Sequence, residues 1–138
     1  MRVFAALILV TAVYVAGILS HMLLTYTPSV TKAADLYMQA IAAIHMQESE
    51  CGRNAACWQR GPCGELGEYQ ITPIFRTDIF RLTGTWINVL DNAECVWAID
   101  FWLRHYGPLV GADTVEKLCK LYKYGPTGYR KYVLNKVG

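Results

Sequence analysis

Between Val3 and Tyr26 the chain carries no Asp, Glu, Lys or Arg. So long a gap in charge argues against a water-exposed segment, and the run is long enough to cross the apolar core of a bilayer as a helix. It is also longer than the apolar stretch of most cleavable signals. A cleaved signal ending near Val15-Ala16-Gly17 is the rival reading, and the length favours an uncleaved anchor with a Thr27-Pro28-Ser29 linker. The expected organisation is therefore a transmembrane anchor with its linker over 1–28 and one small domain over 29–138. Arg2 and Lys32, the nearest charges on either side, differ too little to set the orientation.

Other absences exclude function classes. Basic runs and aromatic-basic stripes are missing, and a net charge of +2 is too small to imply a nucleic-acid partner. The five cysteines form no CxxC pair and the three histidines no zinc-finger spacing, so no metal or other cofactor is expected. No nucleophilic triad, phosphate-binding glycine loop, internal repeat or low-complexity tract is present. Cys51, Cys57, Cys63, Cys95 and Cys119 all follow the apolar run. They suggest disulfides in an oxidising compartment, with at least one thiol left over and the domain on the periplasmic or extracellular side. Cys95 and Cys119 are candidates to bridge successive helices. Cys51, Cys57 and Cys63 are candidates to staple the loop between them.

What is present reads mainly as helix. Thr31 is a candidate N-cap for a helix to about Glu50, and Tyr37, Ile41, Ile44 and Glu48 recur at helical spacing on one face. That apolar stripe runs into a carboxylate. The segment CGRNAACWQRGPCGELGEYQI lacks helical periodicity and reads as a loop with a short β segment. Thr72-Pro73 opens a helix that Gly84 stops. Asp91 and Glu94 form a D-x-x-E cap for a helix ending at Gly107-Pro108, and Asp113 and Glu116 repeat that signature. A last short helix is expected over Tyr129–Lys136. The fold class is mainly α, with α+β character from a small β lobe.

Glu48 is the leading catalytic candidate. Burial at the end of an apolar stripe disfavours the ionised form and raises the pKa, as a general acid near neutral pH requires. The bland alternative is a Glu at the solvent-facing end of a helix. Glu50 falls on another face. His45 fits a surface histidine, and His21 lies in the apolar run.

The ordered set Glu48-Ser49, then Gly64-Glu65-Leu66-Gly67-Glu68-Tyr69-Gln70-Ile71, then Tyr122-Lys123-Tyr124-Gly125-Pro126-Thr127-Gly128 resembles the lysozyme and soluble lytic transglycosylase superfamily. The Cys-rich YQI version, with a closing Tyr132 to Val137 segment, is most similar to invertebrate-type and phage lysozymes. The resemblance spans about Leu36 to Val137. It implies a lysozyme-like domain whose cleft lies between a helical body and a small β lobe. The bound substrate would be a peptidoglycan glycan strand, cut between N-acetylmuramic acid and N-acetylglucosamine with Glu48 as acid.

By the same resemblance, Ser49, Gly67, Tyr69, Gln70, Ile71, Tyr122 and Tyr124 would contribute to substrate binding. Core use is an equal reading for the two last tyrosines. Lys123 stands where the family usually has Asn, and Arg60 falls near the place of an invertebrate-type Asp. The second carboxylate is therefore open among Glu65, Glu68 and Asp78. A lone acid assisted by the substrate's own N-acetyl group fits this departure, and leaves hydrolysis and transglycosylation as alternatives. Anchor and family together suggest a phage opening a wall locally, with the enzyme held in a membrane, that of the virion included. The other function class is a membrane-tethered, non-catalytic module of the same fold that binds glycan or a protein. A structural membrane protein packing through Trp58, Trp86, Trp97 and Trp102 is a third.

Overall fold

The computed structural model describes residues 36–137. The expected anchor, the Thr27-Pro28-Ser29 linker and the Thr31 cap lie outside them. No helix among the described residues is long and apolar enough to cross a membrane.

The described chain is mainly helical. Helix α1 covers 36–49, α2 Pro73–Thr83, α3 Asn92–Val110 and α4 Val115–Val137, with a short 3-10 helix at Ala55–Trp58. The stripe on α1 packs as its spacing requires: Ala40, Ile41 and Ile44 are buried, and Tyr37 packs partly against the core. Phe75 and Ile79 of α2 join them, with Cys95, Ala98, Ile99, Trp102 and Leu103 of α3 and Leu118 and Leu121 of α4. Burying each such aliphatic side chain contributes about 1.5–3 kcal/mol. The core reaches α1 as far as Ile44, one turn before Glu48.

Caps set most helix ends. The Thr72 hydroxyl accepts from the Phe75 N–H, Pro73 occupies the first turn, and Gly84 closes α2 in the left-handed region. Asp91 accepts from the N–H groups of Ala93 and Glu94. The Glu94 carboxylate accepts from the Asn88 N–H, 2.7 Å away, rather than from the cap residue itself.

Several expectations are corrected. Helix α3 continues through Gly107-Pro108 to Val110 and ends at Gly111. So close to the end, the proline forfeits little of the backbone ladder. At the start of α4, Thr114 rather than Asp113 accepts from the Lys117 N–H (3.2 Å), while Asp113 pairs with Lys117 Nζ at 2.6 Å. The final short helix is the second limb of α4, which bends at Gly125 (φ 68°, ψ 170°) with Pro126 following. No β lobe forms among the described residues: residues 66–71 make one antiparallel bridge, Leu66 to Ile71, around a tight turn. Two paired residues with no third strand beside them are too few to build a sheet.

The disulfide staples are also absent, because the five cysteines are thiols. Cys95 Sγ faces the Val89 carbonyl at 3.5 Å, and Cys119 Sγ faces that of Ala40 at 3.8 Å. Burial, followed by Asp91 and Glu94, pushes the Cys95 thiol up to about 11. A thiol so raised is a poor nucleophile.

Gly67 holds the turn against the segment before α3. Its φ is +82°, and a Cβ there would strike the Val89 carbonyl oxygen. Gly84 has a similar φ of +74° but open space around it. Gly84→Ala should therefore lose about 1 kcal/mol from backbone strain alone. Gly67→Ala should lose about 2 kcal/mol or more in urea denaturation, since a backbone oxygen must also move. Equal losses would contradict this packing.

Candidate functional site

Glu48 occupies the last turn of α1, one turn beyond the buried Ile44. It opens into a cleft of about 690 Å³. Gln47 and Glu48 line it from α1, Cys63, Glu65, Gln70 and Thr72 from the loop, Phe75 from α2, and Tyr122 and Lys123 from α4. Burial pushes the Glu48 carboxyl above its ordinary value; the Lys123 ammonium opposes that rise and the Glu65 carboxylate adds to it. Desolvation is the largest of the three effects, so the net result favours a retained proton.

The chain reverses immediately after Glu48. Glu50, Cys51 and Gly52 are three consecutive left-handed residues (φ 53°, 57° and 77°). Ser49, which is buried, accepts from the Gly52 N–H at 2.9 Å. The Cys51 N–H reaches back to the His45 carbonyl at 3.2 Å. These bonds satisfy groups that a helix end otherwise leaves bare.

The loop is tied back onto α1 by His45. Its Nε2 lies 2.6 Å from a Glu68 carboxylate oxygen, and its ring stacks on Tyr69 at 4.5 Å. Periodicity alone reads His45 as a surface residue; its partners lie 23 and 24 positions away, where no local pattern reaches. Tyr122 ties the loop to α4 by donating its hydroxyl to the Tyr69 carbonyl at 2.7 Å. Burial, then Glu48, push the Tyr122 phenol well up, so it remains a hydrogen-bond donor.

The expected site residues divide by position. Gln70 and Tyr122 share the cleft with Glu48. The Gln70 amide, however, donates to the carbonyls of Gly67 (2.8 Å) and Cys57 (3.3 Å), so its N–H groups stabilise the loop. Ser49, Gly67, Tyr69 and Ile71 do not line the cleft: Ser49, Tyr69 and Ile71 are buried, and Gly67 sits against Val89. Tyr124 does not line the cleft and stacks on Tyr132 at 5.4 Å.

Among the candidate second carboxylates, only Glu65 lines the cleft. Its Oε2 accepts from the Cys63 N–H at 2.8 Å. Glu68 is engaged by His45. Asp78 accepts from Trp102 Nε1 (2.7 Å) and the Tyr106 hydroxyl (3.3 Å), and faces a separate cavity of about 620 Å³. Gln47 and Phe75 carry no motif signal and Thr72 reads only as a helix cap; packing brings all three into the cleft lining. Among the described residues, no three His, Cys, Asp or Glu side chains gather where they could hold a metal ion.

Compared with known proteins, the chain matches no family model, and no curated protein or solved structure matches it.

One consequence follows from the raised Glu48 carboxyl. The native state holds an extra proton in the interval between the ordinary carboxyl midpoint of 4.5 and the higher folded one. Stability contributed by that proton is present below the interval and is lost as pH rises through it. Glu48→Gln, which has no proton to lose, should raise the thermal midpoint at pH 7. The gain should shrink as pH falls below 4.5. A variant less stable than the parent at pH 7 would contradict the burial argument.

Proposed function

We propose that the protein is a glycosidase of the peptidoglycan-cleaving kind, with Glu48 as its general acid. The observation that carries this reading is a carboxyl whose proton affinity burial raises, held on a helix end and facing a cleft of about 690 Å³. The ordered motifs from Glu48 to Gly128 support it as a resemblance to lysozymes and lytic transglycosylases. In this reading Glu48 passes its proton to the oxygen between N-acetylmuramic acid and N-acetylglucosamine as the C1–O bond breaks. The N-acetyl group of the muramic residue stabilises the positive charge that develops at C1. Water then completes a hydrolysis, or the sugar's own 6-hydroxyl closes a 1,6-anhydro ring. Glu65, which lines the same cleft, is the carboxylate that would assist either step.

The finer architecture belongs to the same proposal. The Val3–Tyr26 run anchors the chain in a bilayer, and the lysozyme-like domain works on the periplasmic or extracellular face. A phage that opens a cell wall locally, its enzyme held in a membrane, is the setting proposed.

A second reading is a non-catalytic glycan-binding or protein-binding module on the same anchor. It is favoured by Lys123, which opposes the protonation of Glu48, and by the engagement of the Gln70 amide within its own loop.

Purified full-length protein should lyse isolated peptidoglycan, and Glu48→Gln should lower the rate by roughly 10²–10⁴-fold while keeping a cooperative melt. Equal rates for parent and variant would remove Glu48 from the chemistry. Binding without lysis by both proteins would favour the second reading.

A further inference from the structure

A second cavity, of about 620 Å³, shares no lining residue with the cleft of Glu48. Thr127 and Arg130 line it from the limb of α4 that follows the bend at Gly125. Asp78 and Arg81 line it from α2, and Tyr106 from α3. These three elements bring together two guanidiniums and one carboxylate.

The carboxylate does not take up the cations. Asp78 and Arg81 stand three residues apart on α2, a spacing at which opposite charges commonly pair. Asp78 instead accepts from Trp102 Nε1 at 2.7 Å through one oxygen and from the Tyr106 hydroxyl at 3.3 Å through the other. Two neutral donors thus satisfy it. Neither Arg81 nor Arg130 is in an ion pair among the described residues. Other arginines are engaged: Arg104 holds Asp100 at 2.8 Å, Arg53 donates to the Glu50 carbonyl at 3.0 Å, and Arg76 lies 5.6 Å from the centre of the Trp86 ring. Burial and Asp78 push the Tyr106 phenol up and Arg81 opposes them, so Arg81 bears on the same part of the cavity as Asp78.

We propose that this cavity is a binding site for a phosphodiester, held by Arg81 and Arg130. Two guanidiniums and one carboxylate leave a single positive charge, which matches a monoanion better than a dianion. The two non-ester oxygens of a phosphodiester can accept from both guanidinium forks, and the Thr127 hydroxyl lines the same space. Ile74 and Leu109, 82% and 62% exposed, also line the cavity. They give apolar surface to the two ester arms, of which a carboxylate ligand would have only one. The group could be carried by an anionic phospholipid or by a soluble glycerol-phosphate diester. Bound across Arg81 and Arg130, it would also tie the second limb of α4 to α2. Nothing in this site depends on the chemistry of Glu48.

The test uses the full-length protein held in phosphatidylcholine nanodiscs. Titration with glycerophosphoglycerol, followed by calorimetry, examines the soluble source. Replacing part of the phosphatidylcholine with phosphatidylglycerol, followed by the Nε–H resonances of Arg81 and Arg130, examines the lipid source. Saturable heat in the first arm or a shift of both resonances in the second is the expected result, and the arm that responds names the source. Arg81→Gln and Arg130→Gln should each weaken binding roughly tenfold or more, as for a lost charge-assisted hydrogen bond. Lys131→Gln removes a charge beside Arg130 but outside the cavity, and should change binding little. Acetate and glycerol 3-phosphate should bind more weakly than the diester. No response in either arm, arginine variants that bind like the parent, a Lys131→Gln loss equal to theirs, or equal binding of acetate or glycerol 3-phosphate would overturn the proposal.

Discussion

The contact between His45 and Glu68, 2.6 Å long, joins the last turns of α1 to the loop that faces them. The chain leaves α1 through three left-handed residues, and the last of these, Gly52, lies where a Cβ would come within 2.7 Å of the Glu68 carboxyl carbon. The reversal therefore needs a glycine at 52 to leave room for the Glu68 carboxylate that meets His45. With the loop pulled in by His45, the Tyr69 carbonyl meets the Tyr122 hydroxyl and α4 is brought up as the other wall. Glu48 occupies the gap those three elements leave. Its environment follows from contacts made by its neighbours rather than by itself.

That placement works against the stability of the fold. A carboxyl above buried Ile41 and Ile44 is disfavoured when ionised. Lys123 relieves part of this from across the cleft, and Glu65 adds to it. Functional groups commonly sit in environments that a purely structural residue would avoid. The buried thiols of Cys95 and Cys119 show the contrasting case: they face backbone carbonyls, carry no comparable opening to solvent, and fill the core.

Local signals made the helices legible. Thr72-Pro73, Gly84 and Asp91 act where their chemistry places them, because capping is decided within one helical turn. The stripe from Tyr37 to Glu48 likewise marked the buried face of α1 and the place where Glu48 follows it. Competition between near-equal local partners misled at Asp113, whose carboxylate takes Lys117 and leaves the cap to Thr114. The loop was the least legible part. Its glycines and cysteines suggest a stapled β lobe, whereas a two-residue bridge, the His45 clamp and the Gln70 amide hold it. Those contacts join residues far apart in the chain, and neither composition nor periodicity encodes them.

The central claim, that a protonated Glu48 cuts a glycosidic bond, is tested most directly by mass spectrometry of isolated sacculi digested with the full-length protein. Glycan fragments with new 1,6-anhydro or reducing N-acetylmuramic acid ends, produced by the parent and not by Glu48→Gln, are the predicted result. Intact strands, or the same new ends from the Gln variant, would contradict it.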